Sequence, residues 1–258
     1  MCIRDRNNIA CLNALRGIYL EYSTNNTIIK NDLYSNGNQG ILLKSSNSNV
    51  LSQNYASYNG QDGIYLFQSS TGNLVLGNIG IDNWANGIYV NEANNNTIVC
   101  NEVWNSNLGI QVHSADNNFL AHNRLDSNEK GVLIHTQSHN TLLFNNTISN
   151  NVQGVYLHWF SNYTTLIGNT ISSNSYGIYL SYYSSYNTIY HNNFINNARQ
   201  VETYHDSIDS NWDDDYPSGG NYWDDYMGYD ADGDGIGDTS YVIDAANQDR
   251  YPLMHPWS

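Results

Sequence analysis

Apolar and polar residues alternate along this chain in short bursts that return at a nearly fixed interval. Gly17-Ile18-Tyr19-Leu20 comes back as Gly40-Ile41-Leu42-Leu43, Gly63-Ile64-Tyr65-Leu66 and Gly87-Ile88-Tyr89-Val90. It returns again as Gly109-Ile110-Gln111-Val112, Gly131-Val132-Leu133-Ile134, Gly154-Val155-Tyr156-Leu157 and Gly177-Ile178-Tyr179-Leu180. The glycines stand 22 to 24 residues apart. Within each burst the aliphatic residues fall at period two, the spacing of a strand that buries one face. The pattern N-x-[ILV]-x-x-N comes twice per period, first as Asn26-Thr27-Ile28-Ile29-Lys30-Asn31 and then from Asn31 to Asn36. Each period therefore predicts three short strands, and repetition at this length marks a solenoid.

Aligning the periods produces columns. After the glycine come Ile18, Ile41, Ile64, Ile88, Ile110, Val132, Val155 and Ile178; two residues on come Leu20, Leu43, Leu66, Val90, Val112, Ile134, Leu157 and Leu180. The second segment gives Ile28, Leu51, Val75, Ile98, Leu120, Leu142, Leu166 and Ile189. All are aliphatic and many are β-branched, which suits strands. The third segment is looser, with Leu33, Ala56, Gly80, Val103 and Leu125. Two asparagine columns mark the corners: Asn31, Asn54, Asn78, Asn101, Asn123, Asn145, Asn169, Asn192, and Asn36, Asn59, Asn83, Asn128, Asn150, Asn174, Asn197, with Ser106 interrupting the second. Asn tolerates the left-handed backbone of a sharp corner, and stacked amides hydrogen-bond along a column. The sequons at Asn25, Asn95, Asn145 and Asn162 are by-products of this Asn- and Thr-rich repeat.

A leucine-rich repeat shares the period but needs L-x-x-L-x-L-x-x-N and a helical or 3₁₀ segment per unit. Helical periodicity is missing here, so the pattern predicts an all-β fold, a three-sided parallel β-helix. About eight coils at ~4.8 Å make a rod of roughly 40 Å.

Composition divides the chain. Residues 1–201 hold eight Lys/Arg and ten Asp/Glu, whereas residues 202–258 hold one basic residue, Arg250, fourteen acidic ones and all three prolines. The formal charge of −15 thus sits mostly at one end. With no basic stripe the chain is not expected to bind nucleic acid. No apolar run approaches ~20 residues, so no membrane span is expected. Cys2, Cys11 and Cys100 are too scattered for a disulfide framework. Residues 1–6 fit no repeat, contain no apolar signal region, and resemble translated adaptor sequence. Asn8 already lies in mid-repeat, so the natural N-terminus is expected upstream. The organisation read from this is a non-native tract at 1–6, β-helix repeats at 7–198, and an acidic cap at 199–258. Ala198-Arg199-Gln200-Val201 stands where the glycine burst would recur. A β-helix end must be covered; Tyr222, Trp223, Tyr226, Val242, Ile243 and Leu253 are the expected cover.

The repeats resemble the NosD-like, or CASH-type, right-handed β-helix family over about residues 8–198, a pectin-lyase-like solenoid class. The acidic ending resembles the segment that closes such repeats in archaeal and bacterial surface proteins. The resemblance implies export, and so an extracellular, cell-surface or periplasmic location. It implies carbohydrate binding or sugar hydrolysis, or an accessory role in copper-enzyme maturation.

Three features carry candidate chemistry. Asp230-Ala231-Asp232-Gly233-Asp234-Gly235-Ile236-Gly237-Asp238 places carboxylates at positions 1, 3 and 5 and Gly at 6, as in the first half of an EF-hand-type calcium loop. The Ile236 carbonyl and Asp238 would be further Ca²⁺ ligands; Tyr241 replaces the usual Glu at position 12, for which Asp244 is a candidate substitute. Second, His113, His135 and His158 fall four after the glycine in three consecutive coils, a column open to Cu²⁺ or zinc. Third, Tyr156, Trp159, Phe160, Tyr179, Tyr182 and Tyr183 share that side in two coils, with Trp159 expected over Tyr182 and Phe160 over Tyr183. Exposed aromatic platforms hold sugar rings, so a polysaccharide or cell-surface glycan is the expected partner. Acids on the coils are sparse and unpaired, so a binding module or stiff spacer is expected over a polysaccharide hydrolase or lyase, which needs a carboxylate pair.

Overall fold

A computed structural model describes residues 4–205, 207 and 209–258. The chain winds as a right-handed parallel β-helix of about nine turns, and the described residues contain no helix. Each turn gives one strand to each of three sheets. The glycine sheet has nine strands, from Ile18–Glu21 to Arg199–Tyr204; the second runs from Arg4–Arg6 to Thr188–Tyr190, also nine; the third runs from Ile9–Cys11 to Tyr222–Trp223 and has ten. Pairing is in strict register, with Ile88 opposite Ile64 and Ile110, and Val90 opposite Leu66 and Val112. The inward columns close on one another as a continuous dry core. The glycines recur for steric reasons. A Cβ on Gly131 would stand 2.6 Å from the Gly154 carbonyl oxygen of the next rung and 2.5 Å from Ile148.

Asparagines hold the corners as amide ladders. Asn101 donates from its side-chain amide to the Val75 carbonyl and to Asn123 Oδ1, both at 3.0 Å, while its own Oδ1 accepts from the backbone and side chain of Asn78. A third ladder, through Asn26, Asn49, Asn73, Asn96 and Asn118, leads into the second sheet; it is the column at which the first N-x-[ILV]-x-x-N of each of these periods begins. In the sixth coil all three expected positions are one residue early. The ladders pass through Asn146 and Asn151, not Asn145 and Asn150, and Leu143, not Leu142, pairs with Leu120. The cause is the turn after the glycine sheet. In some coils it contains one left-handed residue, such as Ser114; in others it contains two, such as Thr136 and Gln137. The extra residue is absorbed there and displaces the rest of the coil by one position.

The solenoid continues past residue 198. Arg199–Tyr204 add a rung to the glycine sheet, with Val201 opposite Ile178, and Tyr222–Trp223 add one to the third sheet. Asn192 donates to Asn221 Oδ1, so the corner ladder runs on into the acidic segment after a gap of 29 residues. Arg4–Arg6 pair in register with Thr27–Ile29, and residues 1–3, with Cys2, lie outside the described residues.

Trp212 and Trp223 close the last rung. Trp223 stacks on Phe194 at 4.2 Å and on Tyr241 at 4.3 Å. Both indoles donate, Trp212 to Asn247 and Trp223 to Asp249. Trp212 was not among the expected cover, and Val242, which was, is 67 % exposed because its neighbour Tyr241 takes the inward side. Asp213 is buried and held bidentately by Arg250 at 3.0 and 2.6 Å. Burial works to raise its pKa, but the Arg250 hydrogen bonds outweigh it and hold the carboxyl below its usual range. Asp249, buried without a cation, is pushed up to about 6 by desolvation.

Two truncations test the corrected register. Leu143→Ala should cost about 2–5 kcal/mol and Leu142→Ala clearly less, measured by denaturant unfolding; equal costs would overturn the assignment. Asn101→Ala should cost about 1–3 kcal/mol for each buried partner left unsatisfied, whereas Asn150→Gly, which keeps the left-handed corner, should leave the unfolding midpoint nearly unchanged.

Candidate functional site

The outer side of the glycine sheet carries the predicted histidine column. His113 pairs opposite His135, and His135 opposite His158. The rings of His113 and His135 join a stack that starts further down, and His158 stands outside it. Tyr65 and Tyr89 lie 4.7 Å apart at 5°, Tyr89 and His113 6.5 Å at 4°, and His113 and His135 4.4 Å at 16°. Both ring nitrogens of His135 have partners, Gln111 and Thr136, while His113 Nδ1 meets the Tyr89 hydroxyl at 3.0 Å and His158 Nδ1 meets Tyr156 and Ser181 at 2.9 Å. Desolvation lowers the pKa of each, with His135, between two other imidazoles, pushed down to about 4. The ladder is neutral at pH 7.

The predicted aromatic residues gather where the glycine sheet turns toward the second sheet. Phe160 stacks on Tyr183 at 5.2 Å and 14°, as expected. Trp159 does not stack on Tyr182. It packs edge-on to His158 at 6.1 Å, Tyr182 meets the same imidazole edge-on at 5.0 Å, and the three line a cavity of about 280 Å³. Tyr156 and Tyr179 stand on the sheet beside it, 5.0 Å apart and edge to face. Sequence reasoning missed Tyr163 and Tyr186, stacked at 5.8 Å and 15°, and Tyr204 and His205, both packed against Tyr182. A signal was present. Tyr163 and Tyr186 occupy a left-handed corner that Asn95, Asn117 and Asn140 fill in other coils.

Trp159, Phe160, Tyr182 and Tyr183 are the left-handed pairs of their turns, with φ of 53°, 57°, 51° and 64°. Bulky side chains are costly there, by about 1–2 kcal/mol per residue, and the strain projects four aromatic rings from one corner. The same turn is left-handed in the other coils, through Ser45, Glu92, Ser114 or Thr136, so the repeat sets the backbone and these two coils place aromatic rings on it.

The acidic loop gathers the first three of its carboxylates. Asp230, Asp232 and Asp234 each bring a carboxylate oxygen within 4.8 Å of the others. Asp230 accepts from the backbone of Gly233, Asp234 and Gly235, which lowers its pKa, while the Asp234 charge raises that of Asp232. Gly235 turns at φ +91°, open to glycine alone. Asp238 stays at the loop by accepting from Ala231, and Ile236 is buried against Leu253. Asp244 does not supply position 12. It is bound to Thr203 at 2.6 Å and to Asn247.

The family described as "Periplasmic copper-binding protein (NosD)" matches residues 80–228, and the "Right handed beta helix region" matches residues 4–147. The chain belongs to the NosD family. A "Probable ABC transporter binding protein NosD" from Pseudomonas aeruginosa is 43 % identical over 63 residues, 24 % of this chain and 14 % of that protein. Among solved structures, a mannuronan C-5 epimerase A-module from Azotobacter vinelandii superposes at TM-score 0.66, with 17 % identity over 73 % of this chain and 56 % of the other. The periplasmic alginate epimerase AlgG does so at 0.62, with 20 % identity over 76 % and 47 %. An alpha-1,3-glucanase catalytic domain in complex with nigerose gives 0.55, with 16 % identity over 81 % and 49 %. This NosD-family chain thus spans a small part of the curated relative and about half of each solved structure.

The stacked pair His113 and His135 is not arranged to share one copper ion. A metal lies in the plane of each imidazole about 2 Å from nitrogen, and near-parallel rings 4.4 Å apart direct their lone pairs alongside one another. Among the described residues the acidic loop alone brings three ligand groups together.

The neutral ladder makes stability pH-dependent. Between about pH 4 and 6.5 an unfolded His135 takes a proton that the folded one refuses, so stability falls as pH drops through this window. His135→Phe, which keeps the stack, should flatten the fall by up to about 3 kcal/mol, read from unfolding midpoints between pH 7 and 4; a parallel fall in both proteins would refute it.

Proposed function

We propose that this chain is an extracytoplasmic carbohydrate-binding module whose binding surface is the aromatic corner. The observation that carries this reading is the cavity between Trp159 and Tyr182, floored by His158 and of a size for a sugar ring. Around it Phe160, Tyr163, Tyr183, Tyr186 and Tyr204 stay between 39 and 56 % exposed. Flat rings contact the C–H faces of a sugar while phenol hydroxyls bond its rim. The epimerases and glucanase of like fold act, by their names, on polysaccharides, and the family's description is periplasmic; both agree with the reading. Binding is favoured over cleavage because the rings lining the cavity include no carboxylate.

In the same reading the loop at 230–238 holds one Ca²⁺ through Asp230, Asp232, Asp234, the Ile236 carbonyl and Asp238. The ion would relieve the repulsion that raises the Asp232 pKa and tie the loop to the cap through Ile236 and Leu253.

Trp159→Asn puts a residue suited to the left-handed turn where the indole stands. Retention on polysaccharide should be lost while the melting temperature holds or rises slightly; unchanged retention in Trp159→Asn and Tyr182→Ala would sink the site. Calcium should raise the unfolding free energy by ~2.7 kcal/mol at a hundredfold excess over Kd. Asp230→Asn with Asp234→Asn should abolish that gain. No calorimetric signal and no effect of chelator on melting would remove the ion from the account.

A further inference from the structure

We infer that the aromatic corner selects uncharged hexose polymers and rejects uronate or sulfated ones. The inference rests on the carbohydrate reading above and names its substrate class. Recognition of a uronate needs a free cation, for which Arg is best suited. None is offered here. Lys130, whose charge reaches His158, is bound to Glu129 at 2.7 Å. Arg199, on the last rung of the glycine sheet, is paired with Glu202. Arg250 in the cap is committed to Asp213 and Asp215.

The surroundings repel anions as well. The corner's aromatic coils adjoin the segment with fourteen acidic residues and one basic one, a field that lowers the local concentration of a polyanion. The lining of the cavity is an indole, a phenol and an imidazole. The imidazole bonds Tyr156 and Ser181, and burial keeps it unprotonated. What remains for recognition is ring faces, neutral hydroxyls and the His205 imidazole beside Tyr182, a set without a fixed cation that matches neutral sugars.

The arrangement also favours a polymer over a single sugar. Phe160 and Tyr183, like Tyr163 and Tyr186, lie one rung apart, so the aromatic surface extends along the helix axis. A chain laid along it would touch several residues in turn and gain from each.

Affinity electrophoresis distinguishes the outcomes. The whole chain is run through gels containing a soluble neutral glucan, a mannan, alginate or polygalacturonate, at low and at about 0.5 M salt, where exposed charges are screened within a few ångströms, beside Trp159→Asn as the control. We expect retardation by at least one neutral polymer, insensitive to salt and weakened roughly tenfold or more in the variant, with none by the two uronates at either salt. Retardation by alginate or polygalacturonate as strong as by any neutral polymer, abolished in Trp159→Asn, would overturn the selectivity and leave the binding site standing. No retardation by any of the four would overturn both.

Discussion

The structure depends on like groups meeting like at the spacing of a β-strand. A side-chain amide has one acceptor and two donors, so an asparagine above another can pass hydrogen bonds upward indefinitely while also closing a backbone carbonyl at the bend. Asn101 does so between Asn78 and Asn123. Without these ladders three sharp corners per turn would leave buried backbone groups unpaired, at a cost that no aliphatic column offsets. Polar corners and dry interior are therefore one device, and each rung is the template for the next.

The same rule explains why the outer face is so ordered. A ring placed on one rung meets whatever the next rung holds at that position, and Tyr65, Tyr89, His113 and His135 answer with a continuous stack. Stacking directs the lone pairs of His113 and His135 alongside one another. Four of the exposed aromatic rings stand instead where the repeat is locally broken. Turns that take two left-handed residues in place of one are the sites where Trp159, Phe160, Tyr182 and Tyr183 project. There the backbone accepts strain and the rings stand clear of the ladder.

The cap shows how a periodic body is ended. It continues the fold for one rung, supplying Asn221 to the corner ladder and Tyr222–Trp223 to the third sheet, before two tryptophans close the core. Its acidity has two uses. Asp213 and Asp249 are buried as structural acceptors for Arg250 and for the Trp223 indole, while Asp230, Asp232 and Asp234 gather on a loop at the surface. A count of charges cannot separate these groups, because burial and not residue type distinguishes them.

Much of this was determined by the sequence alone. The glycine period set the rung, the aliphatic columns set the inward faces, and equal spacing put His113, His135 and His158 in one line. Stacking makes each such inference local, since a residue's neighbours are set by its place in the turn. Tertiary structure decided the rest. It moved the ladder from Asn145 to Asn146 and from Asn150 to Asn151, found Asn221 after a gap of 29 residues, parted Trp159 from Tyr182 to leave a cavity, and turned Asp244 away from the acidic loop. Each of these departs from the period. An extra residue in a turn, or a closing segment that winds only once, has no copy above or below to reveal its register, and only packing in three dimensions selects where it goes.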